Sequence, residues 1–181
     1  MIPFKGQSSL KQYMLLKPVK RGYKVWCLAD SETGYVIKFD IYTGKSNDRC
    51  TENSLGECVV ISLTQDLKHS NSIVAFGNFF TTVNLMQMLL NNGIYSTGTV
   101  RANRKGLPSM MKDKCTLKRR EFQFQCNCGI EAIKWMDNKP VTTLTTSDNP
   151  SDITLVSRKN KDGTISMVTC PTAVATYNTI T

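Results

Sequence analysis

Seven cysteines and a single histidine are the side chains in this 181-residue chain best suited to metal binding or nucleophilic work. Their spacing argues against both. Cys27, Cys50, Cys58, Cys115, Cys126, Cys128 and Cys170 include no C-x-x-C pair, and His69 has no partner at zinc-ligand spacing. Cys115 with Cys126 and Cys128 is the one combination that would suit a thiophilic ion, and reduced, partly buried thiols are the plainer reading. Carboxylates are scattered: Asp30 and Asp40 fall within a hairpin and Asp137 in the turn Asp137-Asn138-Lys139-Pro140, positions typical of turn and solvent-face residues. Cations are the dense feature. Arg101, Arg104 and Lys105, then Lys118, Arg119 and Arg120, punctuate one polar stretch, and the net charge is +9 with a pI near 9.3. That balance favours polyanions, nucleic acid first and an acidic membrane surface second.

The elements that must position these groups can be read from periodicity. Tyr35, Ile37, Phe39 and Ile41 alternate with Lys38 and Asp40, and with residues 22–29 and the turn Asp30-Ser31-Glu32-Thr33-Gly34 they predict a β-hairpin. Residues 43–54 read as a polar loop. Val59, Val60, Leu63 and Leu67 predict a short amphipathic helix ending near His69. Ser72 to Phe76 is a short, nearly all-apolar strand, expected in the centre of a sheet covered on both faces. Residues 83–92 predict a buried helix with Thr81 or Thr82 as N-cap and Gly93 as left-handed C-cap, and Ile94 to Val100 a further strand. Strand, helix and strand in that order imply a parallel crossover. Short strands follow at 121–126, 130–135 and 141–145. A hairpin over 156–168 turns at Lys161-Asp162-Gly163, and a helix starts at Pro171. The fold class is therefore α/β with a mixed sheet.

The junction between the apolar strand and the buried helix reads "IVAFGNFFTT", residues 73–82. Such strand-to-helix turns often carry the chemistry of α/β proteins. Here the turn opens on Gly77, which has no side chain to offer.

Longer blocks are distinctive. "PFKGQSSLKQYMLLKPVKRGYKVWCLADSETGYVIKFDIYTGK" (Pro3 to Lys45), "GNFFTTVNLMQMLLNNGIYSTGTVRANRKGLP" (Gly77 to Pro108), "IKWMDNKPV" (Ile133 to Val141) and "CPTAVATYN" (Cys170 to Asn178) resemble, in the same order, the central domain of piggyBac transposable-element-derived proteins. The resemblance implies a partial ribonuclease-H-like transposase core over about residues 1–107, a basic and β-rich insertion over 108–170, and the start of a C-terminal helix over 171–181. For active members it implies cut-and-paste DNA transposition with magnesium held by clustered aspartates. Such chemistry needs two divalent ions bridged by carboxylates, for which glycine is no substitute. The first family aspartate lies in an I-D-E-x segment just before the place of Met1, and the last in a G-V-D segment beyond Tyr177-Asn178, so both fall outside these 181 residues. The second opens a D-N-F-F-T-S type motif, and its place is taken by Gly77, followed by the matching Asn78, Phe79, Phe80 and Thr81. Asp137 matches a family aspartate that is not a metal ligand.

The expectation is a transposase-derived, catalytically inactive protein retaining DNA contact through Lys5, Arg101, Arg104, Lys105, Lys118, Arg119 and Arg120, with no catalytic residue, no metal site and no cofactor. The alternatives are an internal fragment of an active transposase and a domesticated protein-interaction module. DNA is the expected partner, with a homo-oligomer compatible. No small-molecule substrate is indicated. No stretch approaches the roughly 20 apolar residues that span a bilayer and no signal-peptide core opens the chain, so a nuclear or otherwise intracellular location is expected.

Overall fold

The computed structural model describes residues 1–44, 54–112, 117–160 and 162–181, so most of the loop expected over 43–54 (residues 45–53, with Cys50), Lys114, Cys115 and Lys161 lie outside the described residues. The chain divides into two compact units, Met1–Asp66 and Leu67–Thr181.

The first unit opens with three very short strands, β1 (Ile2–Pro3), β2 (Gln12–Tyr13) and β3 (Arg21–Tyr23), with β3 in the middle of an antiparallel sheet. The predicted hairpin follows as β4 (Val25–Ala29) and β5 (Val36–Ile41). Asp30 holds its turn: Oδ1 accepts from the Thr33 amide at 2.8 Å and the Thr33 hydroxyl at 2.6 Å. Helix α1 (Leu55–Leu63) starts at a capping box. The Glu57 amide donates to Ser54 Oγ at 3.4 Å and the Ser54 amide to Glu57 Oε2 at 2.6 Å, which satisfies two otherwise unmet helix-start donors. Val59, Val60 and Leu63 are its buried hydrophobic residues, as their spacing predicts, but the helix stops at Leu63 and Leu67 falls in a separate 3-10 turn, Gln65–Leu67.

The second unit is built on a five-stranded mixed sheet of order β6-β7-β10-β9-β8. Its strands are β6 (Ile73–Phe76), β7 (Tyr95–Thr99), β8 (Phe122–Asn127), β9 (Ile130–Met136) and β10 (Pro140–Thr145). β6 and β7 are parallel, joined through α2 (Val83–Asn91), so the crossover is as expected. Thr82 is the N-cap, accepting from the Leu85 amide at 3.0 Å; Thr81 is instead buried and donates to the Gly77 carbonyl at 3.1 Å. Gly93 takes φ +66° just past the helix, the left-handed closure that suits glycine.

One expectation is overturned. β6 stands at the edge of the sheet among the described residues rather than at its centre, and Ile73 is 47% exposed. An apolar run reports that both faces of a strand are packed; it does not report how many strands flank it. Val74 and Phe76 fill one face and are buried, while on the other face Ala75 is half-buried and Ile73 exposed, so the run overstates the packing of the second face.

One face of this sheet is backed by α2 and by a one-turn helix, α3 (Ser109–Lys112), whose Met110 carbonyl accepts from the buried Lys134 Nζ at 2.8 Å. The other face carries the hairpin β11 (Ile153–Lys159) and β12 (Ile165–Pro171), then α4 (Thr172–Ile180). There Trp135, Cys170 and Val174 form a buried cluster with Phe122, Val141 and Val156 packed against it. The outward face of the β11–β12 hairpin keeps Ile153, Leu155, Ile165 and Met167 exposed. Among the described residues no helix is long and apolar enough to cross a membrane.

The fold raises the carboxyl of Glu131 of β9. Burial first, and the neighbouring Asp148 charge second, push its carboxyl up from 4.5 to about 6. A raised carboxyl binds its proton more tightly in the folded chain than in the unfolded one. Its contribution to stability is therefore complete below about pH 4.5 and is lost as pH rises through 6. In metal-free buffer the melting temperature is expected to fall across that window, and Glu131→Gln to remove this component; a thermal scan at stepped pH checks it.

Candidate nucleic-acid interface

Strand direction alone gathers the predicted site residues of the second unit. β6 and β7 run parallel, and β10, β9 and β8 alternate after them, so one end of the sheet collects the end of β6, the end of β7 and the start of β8. Gly77 follows β6, Arg101, Arg104 and Lys105 follow β7, and Lys118, Arg119 and Arg120 precede β8. Five strands at about 4.8 Å spacing put the two extremes about 19 Å apart. The register continues beyond the strands: the Val100 amide donates to the Thr142 carbonyl at 2.9 Å, and the Arg120 amide to the Met136 carbonyl at 2.6 Å. The sequence reading named these cations as one charged stretch. The fold turns them into a basic rim with Gly77 at one end.

Arg101, Lys105, Lys118, Arg119 and Arg120 are exposed, and Arg104 is half-buried. Arg104 also serves the fold. Its Nη2 donates to the carbonyls of Asn78 at 3.0 Å and Phe79 at 2.8 Å, tying the loop after β7 to the junction after β6. Lys5 belongs to the first unit and is exposed there.

Gly77 itself is not demanded by the geometry. Its φ lies outside the left-handed region, and a Cβ built on it meets nothing within 4 Å. The contrast is Gly98 of β7, where a Cβ would sit 2.5 Å from the Phe76 carbonyl oxygen and 2.6 Å from Thr81 Oγ1. Gly98 is required for the close approach of β6 and the turn; Gly77 fills a place with room for a side chain, on the sheet face shared with Ala75 and Thr97.

The metal pair implied by the resemblance does not fit the residues at this junction. Gly77 supplies no ligand, and among the described residues no group of three or more His, Cys, Asp and Glu side chains is placed to hold a metal ion. The Cys126–Cys128 pair is exposed, and its proposed companion Cys115 lies outside the described residues. Asp137 lies in the turn between β9 and β10, and its carboxylate is mostly covered and accepts from Arg158 Nε at 3.2 Å rather than facing solvent. Asp30 is likewise spent on its own turn.

The sequence reading missed Glu131 and Asp148. The one available signal was an acidic residue in a strand, β9, whose other residues are apolar except Lys134. What makes it notable is cross-strand register, which composition does not carry.

Comparison with known proteins agrees with this architecture. A family profile described as Transposase IS4 matches residues 1–180. Human PiggyBac transposable element-derived protein 3 is 30% identical over 165 residues, covering 87% of this chain and 28% of its own. Human PiggyBac transposable element-derived protein 2 is 30% identical over 168 residues with the same coverage, 87% and 28%. The chain thus spans less than a third of the length of these relatives. A piggyBac transposase solved by cryo-electron microscopy as a synaptic complex with hairpin DNA has the same fold, with a TM-score of 0.81 at 24% identity, over 98% of this chain and 35% of that one. The chain belongs to the transposase IS4 family, among its piggyBac-type members.

Proposed function

We propose that the chain is a transposase-derived protein that contacts DNA along the basic rim and performs no strand transfer. Its core is read as ribonuclease-H-like over about residues 1–107, followed by the basic, β-rich segment to residue 170 and a C-terminal helix. The single observation that carries the loss of chemistry is Gly77. It occupies the place at which the family resemblance requires a metal-binding aspartate, although the backbone there has space for one. A two-metal reaction short of a bridging carboxylate cannot hold both ions in line.

DNA contact is supported by the net charge of +9 and by the convergence of Arg101, Lys105, Lys118, Arg119 and Arg120 at one end of the sheet, with Lys5 as a further phosphate contact and Arg104 holding the rim to the junction. A nuclear location accompanies that reading. The solved relative is a complex with hairpin DNA, which is in keeping with it. A gel-shift series at rising salt tests the proposal. Duplex DNA is expected to be retained at low salt and released steeply as salt increases; absence of binding at low salt would sink it. A protein-interaction role is the second reading, favoured by the exposed apolar face of the β11–β12 hairpin; it predicts a chain that ignores DNA and self-associates or captures a protein partner.

A further inference from the structure

The sheet face that carries α4 holds a row of polar side chains. In register across it stand Thr97 of β7, Thr145 of β10 and Glu131 of β9. Thr97 and Thr145 are completely buried. Asp148, just past β10, gathers hydroxyls: Thr145 Oγ1 donates to Oδ2 at 3.0 Å, Ser147 Oγ to Oδ2 at 2.7 Å, and Thr176 Oγ1 of α4 to Oδ1 at 2.9 Å. Two buried oxygens of this row, Glu131 Oε2 and Thr97 Oγ1, have no hydrogen-bond partner among the described residues. Buried polar atoms without partners are uncommon, and each one calls for a ligand, a water or a proton.

The chain is strongly basic, yet its nearby cations are committed elsewhere. Lys134 projects from β9 to the opposite face and bonds Met110, Arg158 pairs with Asp137, and α4 carries no charged residue. Carboxylate and hydroxyl oxygens are the donors that hard cations take, and two carboxylates with several retained waters are a common arrangement for magnesium. The donors here are oxygens, and among the described residues no third Cys, His or carboxylate joins them, which disfavours zinc.

We propose that Glu131 and Asp148, with the Thr97 hydroxyl, form a binding site for a hard divalent cation. The site lies within the second unit, on the sheet face that Gly77 shares but toward the other end of the strands, and is independent of DNA contact. Its consequence is structural: a bound cation would neutralise the carboxylate pair and fasten α4, through Thr176, to the sheet.

Thermal unfolding of the 181-residue chain at neutral pH, in chelator and then with Mg²⁺, Mn²⁺ or Ca²⁺ at constant ionic strength, tests this. A cation in about tenfold excess over its Kd is expected to raise the melting temperature by about 3–6 °C. Glu131→Gln should melt no lower than the unaltered chain in chelator and should lose the response, while Thr97→Val should weaken it. In the unaltered chain, Mn²⁺ is expected to broaden the amide signals of Thr97, Glu131, Thr145 and Asp148 before any others, a readout that stands even if a variant fails to fold. No response to any of the three cations up to about 10 mM, an undiminished response in Glu131→Gln, or broadening centred elsewhere overturns the site.

Discussion

Replacing Arg101, Lys105, Lys118, Arg119 and Arg120 together by alanine is expected to abolish most DNA affinity while leaving the fold intact. Each phosphate neutralised contributes about −0.9 to the slope of log affinity against log salt, so five contacts account for about −4.5. With that slope the unaltered chain loses about 500-fold in affinity between about 50 and 200 mM salt. The five-alanine variant should lose that part of the slope, keeping only the about −0.9 that Lys5 supplies, and bind at least about 100-fold more weakly at about 100 mM. All five side chains are exposed, and substitutions at such places move stability by about 0.5 kcal/mol or less each. A variant that melts normally and still binds with the original slope would place the contacts elsewhere. Arg104 stays unaltered in this variant. Its guanidinium holds the Asn78 and Phe79 carbonyls, so its loss would mix a structural effect with a binding one.

The second large effect is a contrast between two glycines. Gly98→Ala is expected to destabilise the chain by about 3 kcal/mol, because the new methyl would meet backbone oxygen at a distance that real Cβ atoms do not adopt. Backbone oxygen in a strand pair cannot swing aside as a side-chain tip can, so the parallel β6–β7 pair must part. At about 2–4 °C per kcal/mol for a chain of this size, the melting temperature should fall by about 6–12 °C. Gly77→Asp, in contrast, should change stability by less than about 1 kcal/mol, since its φ is permissible and the space is open. Urea titration of both variants checks the pair. If Gly77→Asp unfolds the chain as Gly98→Ala does, glycine is there for the fold and its absence of a carboxylate says nothing about chemistry.

The local elements were readable because local physics sets them. Alternation marked β5, turn residues marked the hairpin before it, and Gly93 with either Thr81 or Thr82, of which the fold uses Thr82, bracketed α2 by the capping rules that hold at any helix end. What escaped was the non-local part. Nothing in the run Ile73–Phe76 told an edge strand from a central one, and nothing in the threonines of β7 and β10 announced that Thr97 would stand opposite Thr145. The basic residues were legible as a set, yet the rim exists only because β8 antiparallel to β9 returns Lys118–Arg120 to the end of the sheet where β7 stops. Arg104 was counted among them with no sign of its grip on the junction. Glu131 and Asp148 were passed over for the same reason, since their relation runs through a cross-strand register and a loop hydroxyl.

The most direct test asks whether DNA is held and left uncut. End-labelled duplex DNA is incubated with the 181-residue chain in magnesium, and the same sample is resolved on native and on denaturing gels. A shifted complex whose strands remain full length is the predicted result. Nicked or joined strands that depend on the protein and on magnesium would contradict it, because a chain with glycine at position 77 would then be supporting the reaction that glycine is held to have removed.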